Sequence, residues 1–125
     1  MLLELFDCDP DAINNLEAVK GALVEAAKRA QATIVDTVFH EFNPFGISGV
    51  VVIAESHLSI HTWPEHRYAA VDIFSCGDTL KPEVAAGYLV EQFAAERTSV
   101  VEVQRSLFLQ TSGPILNKAA AAVGA

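Results

Sequence analysis

Three strand-like segments between residues 47 and 74 are separated by gaps of a few residues, and this run restricts the fold more than any other feature. Residues 47–54 are apolar on both faces, as in a central strand. Residues 57–62 alternate, with His57, Ser59 and His61 on one side and Leu58 and Ile60 on the other. Residues 68–74 alternate again, Ala69, Val71 and Ile73 opposing Ala70, Asp72 and Phe74. Links as short as Glu55-Ser56 and residues 63–67 leave no room for a crossover helix, so these strands are antiparallel neighbours.

The flanks add the rest. Residues 2–6 predict a short strand. Asp9-Pro10 reads as a helix start, with Asp9 as N-cap, Pro10 at the first helical position and Asp11 near the positive end of the dipole. Ile13, Leu16, Val19, Leu23 and Ala26 or Ala27 recur at helical spacing, and Lys28 and Arg29 suit the last turn, so a helix is expected over about 10–30. Residues 33–39 are β-branched and aromatic and predict a strand. Residues 42–46 form a loop punctuated by Pro44 and Gly46. Cys76-Gly77-Asp78 ends the 68–74 strand. Lys81-Pro82-Glu83 opens a second helix ending near Glu96, with Val84, Tyr88, Leu89 and Phe93 along one side. A last strand is expected over 98–103, extending to Leu109, before a weakly specified tail over 111–125.

Written as β-α-β-β-β-α-β, this order implies an α+β fold: a two-layer α/β sandwich, an antiparallel sheet with two helices on one face. A single domain over 1–110 is expected, since 125 residues suffice for one core and no linker divides them. Strands this apolar leave an uncovered face better suited to a second subunit than to water. The longest apolar run, residues 50–54, is far short of the roughly 20 residues a membrane span needs. The start, with an early acid and no basic region, is not that of a signal peptide. Two cysteines, Cys8 and Cys76, make no disulfide framework, which suits a reduced, cytoplasmic chain. A net charge of −8 disfavours nucleic acid and anionic membranes, and weakly favours cationic small molecules.

Residues 54–65 hold two Ser, two His and two Glu between apolar strands. A single His on an alternating strand is ordinarily a hydrogen-bonded structural residue. Here His57 and His61 share a face with Ser59, Glu55-Ser56 sits where an apolar strand stops, and Cys76 ends the next one. A metal site is disfavoured, because i and i+4 side chains on a strand stand roughly 13 Å apart. Ser56, His61 and Asp72 supply the residue types of a hydrolase triad, but no Gly-x-Ser-x-Gly elbow is present.

Three long motifs carry a resemblance. They are Phe42-Asn43-Pro44-Phe45-Gly46-Ile47-Ser48-Gly49, then Glu55-Ser56-His57-Leu58-Ser59-Ile60-His61-Thr62-Trp63-Pro64-Glu65, then Tyr68-Ala69-Ala70-Val71-Asp72-Ile73-Phe74-Ser75-Cys76-Gly77. Over residues 2 to about 105 the chain resembles the short prokaryotic S-adenosylmethionine decarboxylases, pyruvoyl enzymes made by self-cleavage of a proenzyme. In that family a few residues, including a Gly and a His, usually precede the first strand; this sequence begins at Met1 inside it. The resemblance implies cleavage at Glu55-Ser56, conversion of Ser56 to a covalent pyruvoyl group, and a Schiff base between that group and the substrate amine. It assigns His61 and Ser48 to processing and Cys76 to proton donation. Phe42 is implied to stack on adenine and Glu65 to bind ribose hydroxyls, with His61 also near the base. A homodimer of cleaved protomers is implied, its site near the subunit interface. Decarboxylated S-adenosylmethionine would be the aminopropyl donor for spermidine.

Two alternatives stay open at the level of sequence. The same pyruvoyl chemistry could act on arginine or ornithine, since decarboxylation touches only the amino-acid end and His66-Arg67 follows Glu65. A non-enzymatic homologue that is never cleaved could share the scaffold.

Overall fold

The computed structural model describes residues 1–76 and 79–105. The strand extension to Leu109, the tail over 111–125, the domain limit at 110 and the Gly77-Asp78 strand end lie outside the described residues.

Six strands form one antiparallel sheet in the order β2-β3-β4-β5-β1-β6. They are β1 (Leu2–Phe6), β2 (Ile34–Glu41), β3 (Ile47–Ile53), β4 (Ser56–Trp63), β5 (Tyr68–Ser75) and β6 (Arg97–Val101). Helix α1 (Leu16–Arg29) joins β1 to β2, and α2 (Pro82–Gln92) joins β5 to β6. This is the two-layer α+β arrangement expected from the sequence. The order β-α-β-β-β-α-β needs one correction: four strands, not three, lie between the helices. The Ala54-Glu55 turn is tight enough for β3 and β4 to stand as separate strands, with Ile53 opposite Ser56.

The sheet's two faces follow from its period of two. Leu3 and Leu5, Val51 and Ile53, Leu58 and Ile60, and Val71 and Ile73 are buried on the helix side. On α1 the buried positions are Val19, Ala22, Leu23, Ala26 and Ala27, one apolar stripe at helical spacing. On α2, Ala85, Ala86 and Leu89 do the same, followed by the buried ring of Phe93. The helices also meet each other: Lys81 N–H donates to Ala30 C=O at 2.9 Å, and the Arg29 guanidinium lies 4.3 Å from the Tyr88 ring centre.

Both helix boundaries differ from the sequence expectation. Asp9 does cap a turn, its carboxylate accepting Asp11 N–H at 3.0 Å, but the turn is a 3-10 segment, Ala12–Asn14. Asn15 then takes extended angles and its side chain accepts Ala18 N–H at 2.9 Å, so α1 starts at Leu16. The second helix ends at Gln92 rather than Glu96, because Ala94 is left-handed with φ 52°. The last strand is Arg97–Val101, one residue earlier than expected at its start and two at its end.

The other face has no helix on it. Leu2, Val38, Val52, Trp63 and Val101 are exposed there, beside Ser48, His57, Ser59, His61 and Asp72. A concavity of about 510 Å³ opens on it, lined among others by Leu2, Glu4, Ser59, His61, Tyr68 and Asp72. Tyr68 Oη donates to Glu4 at 2.7 Å, and burial followed by that carboxylate pushes the phenol up to about 12.

Candidate active site

The β3–β4 hairpin carries every candidate residue except Phe42, Glu65 and Cys76, and its two ends differ in kind. At the turn, Glu55 and Ser56 are buried, at 6% and 8% exposure. The turn is pinned to the entry of β2. Ala54 N–H donates to Thr33 C=O at 2.8 Å, and Thr33 N–H donates to the Glu55 carboxylate at 2.9 Å. Pairing of Ser56 with Ser75 brings the next residue, Cys76, onto the turn.

There Cys76 contacts the peptide that joins Glu55 to Ser56. Its N–H donates to the Glu55 carbonyl oxygen at 3.2 Å and its thiol donates to the same oxygen at 3.1 Å. Two donors on one carbonyl polarise it and stand where negative charge collects if a nucleophile adds to its carbon. The nucleophile that follows in the chain is the hydroxyl of Ser56. Glu55, Ser56 and Cys76 are therefore brought together, as the sequence led one to expect.

The second cluster occupies the opposite end. Ser48 Oγ and His61 Nδ1 are 2.7 Å apart across the β3–β4 pair. His40 stands opposite Ser48 on β2, and its ring meets that of Phe42 edge-on with centres 4.6 Å apart. The His61 and Trp63 rings lie 6.3 Å apart. Glu65 is exposed in the 3-10 turn Pro64–His66 that ends β4, and Phe42 is exposed at the start of the 42–46 loop.

Within one chain these two clusters do not meet. Ser56 and His61 are five residues apart on one strand, roughly 16 Å. The odd spacing puts them out of phase: Ser56 runs with buried Leu58, Ile60 and Thr62, and His61 with His57 and Ser59. The same parity separates Ser56 from Asp72, which pairs with Ser59 and lies 3.4 Å from His57 Nε2, so no hydrolase triad assembles.

Two supports were not singled out from the sequence. Thr33 holds the Glu55 carboxylate; nothing in residues 33–39 marked it. Thr62 bridges Ile47, accepting its N–H at 2.9 Å and donating to its C=O at 3.4 Å. Its signal was available, since Thr62 is the lone hydroxyl in phase with Leu58 and Ile60.

A pyruvoyl group at position 56 fits this setting. It is small and uncharged, position 56 is enclosed, and the adjoining thiol is a weak acid able to give up a proton. The residues that would hold it are Ser56 itself, Cys76 and the Glu55 turn.

Comparison with known proteins agrees with this geometry. A family model described as S-adenosylmethionine decarboxylase matches residues 1–106. A protein of Thermodesulfovibrio yellowstonii named S-adenosylmethionine decarboxylase proenzyme is 60% identical over 107 residues, covering 86% of this chain and 79% of its own. One of the same name from Acidithiobacillus ferrooxidans is 49% identical over 105 residues, covering 84% and 79%. The crystal structure of the adenosylmethionine decarboxylase from Aquifex aeolicus superposes with a TM-score of 0.73 at 37% identity, over 84% of this chain and 92% of that one. The self-facing turn of Glu55, Ser56 and Cys76 thus sits in a chain that belongs to the S-adenosylmethionine decarboxylase family.

Proposed function

We propose that this chain is a proenzyme that cuts itself between Glu55 and Ser56 and then, as a pyruvoyl-dependent carboxy-lyase, decarboxylates S-adenosylmethionine to the aminopropyl donor for spermidine. The observation that carries the reading is the pair of Cys76 donors on the Glu55 carbonyl oxygen.

Each cleavage step has a group to perform it. Ser56 Oγ adds to the Glu55 carbonyl carbon while the Cys76 N–H and S–H stabilise the charge on oxygen. The C–N bond then breaks and an ester forms, with the Ser56 nitrogen released as an amine. Loss of the Ser56 α-proton expels the Glu55 carboxylate by β-elimination and leaves dehydroalanine at position 56. Water hydrolyses that unit with loss of ammonia, which yields the pyruvoyl group. Once formed, the group supplies the electron sink that decarboxylation of an α-amino acid requires. Cys76 then serves a second purpose: its Sγ proton is the one to deliver to the substrate α-carbon. A thiol with an ordinary pKa of about 8.5 still holds its proton at neutral pH.

His61 and Ser48 are read as the proton-moving pair of processing, and Phe42 and Glu65 as the substrate-binding pair. Their distance from Ser56 in one chain supports a homodimer in which the Ser48–His61 end of one copy meets the Glu55–Ser56 end of the other. The helix-free face, with Leu2, Val38, Val52 and Val101 exposed, suits burial against a second copy. Residues 1–110 are read as one domain. No helix among the described residues is long and apolar enough to cross a membrane, and we place the enzyme in the cytoplasm with no membrane or nucleic-acid partner.

Intact-mass measurement tests the reading. The purified protein should give two fragments, the second beginning at residue 56 with the mass of a pyruvoyl group. Ser56→Ala should give one full-length folded chain with no activity. Normal cleavage in that variant would refute the assignment. Turnover of arginine or ornithine but not S-adenosylmethionine would leave the cleavage intact and move the enzyme to a different substrate.

A further inference from the structure

We infer that Asn14 is a positioning residue for substrate binding that acts on Phe42 through Gly46; the inference rests on the reading of Phe42 as a binding residue. Asn14 ends the 3-10 turn before α1 and lies 32 residues from Gly46 in sequence. Its side-chain oxygen accepts Gly46 N–H at 3.0 Å. The carbonyl of the same glycine accepts Phe42 N–H at 2.8 Å, which closes the 42–46 loop. Gly46 is thus held from both sides, and Phe42 is two hydrogen bonds from Asn14.

The rest of the loop is fixed around this link. Gly46 has φ 103°, a conformation that other residues rarely adopt, and a Cβ there would stand 3.2 Å from the Thr62 carbonyl oxygen. Thr62 holds Ile47, the next residue. Ile13, beside Asn14, is fully buried, so the turn that presents the Asn14 oxygen is anchored in the core. Asn14 itself is exposed, and packing does not demand its side chain. Phe42 is 48% exposed and has few neighbours to hold it. An aromatic platform of this kind binds best when its backbone is fixed beforehand, because ordering on binding costs affinity.

Steady-state kinetics on the cleaved enzyme test the proposal. Asn14→Ala should raise KM for S-adenosylmethionine about fivefold, the loss of one hydrogen bond, with kcat within about twofold. Asn14→Asp keeps the accepting oxygen and should restore KM. Asn15→Ala, one residue on, removes the α1 cap instead; it should lower Tm and leave KM unchanged. Phe42→Ala should raise KM, and Asn14→Ala added to it should raise KM no further, because both act through one ring. If Phe42→Ala raises KM but Asn14→Ala does not, or if the two effects simply add, Asn14 does not position Phe42. If Phe42→Ala leaves KM unchanged, the binding role of Phe42 fails, and the Asn14 proposal falls with it.

Discussion

The two ends of the β3–β4 hairpin are made of similar residue types and built for opposite purposes. At the turn, Glu55 and Ser56 are buried, and their peptide carbonyl is held by Cys76. At the far end, Phe42, Trp63 and Glu65 are exposed, and the Ser48–His61 pair looks out from the helix-free face. A bond that must break without stray hydrolysis is enclosed, where dipoles act in a low dielectric. A surface that must receive a substrate is open. One strand serves both because its ends lie roughly 16 Å apart and its parity differs between them. The same separation means that neither end is a complete active site by itself.

The largest expected effect falls on the buried end. Cys76→Ala removes the proton donor but keeps the residue-76 N–H on the Glu55 carbonyl. Decarboxylation should fall by roughly 10²–10⁴-fold while cleavage continues more slowly. Assaying fragment formation and carbon dioxide release on the same sample separates the two, and full activity would remove Cys76 from the mechanism. On the open end, Glu65→Gln should leave fragment formation unchanged and raise KM about tenfold, the scale of a lost charge-assisted hydrogen bond. Slowed cleavage in that variant would blur the division between the ends.

The smallest effect concerns the cysteine outside both. Burial first, and Asp7 second, push the Cys8 thiol from its ordinary 9.0 to about 11. A pKa raised by folding gives stability that is present below pH 9 and lost as pH rises toward 11. Cys8→Ala should flatten the fall in Tm between pH 9 and 11; an unchanged profile would show that Cys8 is not its source.

Strands and faces were legible in the sequence because alternation is a local signal. Residues 57–62 and 68–74 were assigned with their faces correct. The start of α1 was not, because Asp9 and Pro10 satisfy every rule for a helix start. Only the extended backbone of Asn15 and its bond to Ala18 show that the real cap lies further on. The motifs identified Ser56, Cys76 and their neighbours. The groups that hold them were hidden, because Thr33 and Asn14 act across 22 and 32 residues on backbone N–H groups that any residue could supply. The parity of Ser56 and His61 was also in the sequence, but its meaning depended on knowing which face the helices cover.

The claim that two copies complete each site is tested most directly by co-expressing His61→Ala with Ser56→Ala and resolving the chains by mass. Alone, neither variant should be cleaved efficiently. Together, the His61→Ala chain should be cut at Glu55-Ser56, because its partner supplies an intact Ser48–His61 pair, while the Ser56→Ala chain stays whole. A His61→Ala chain that is cut no better in the mixture than alone would contradict the account.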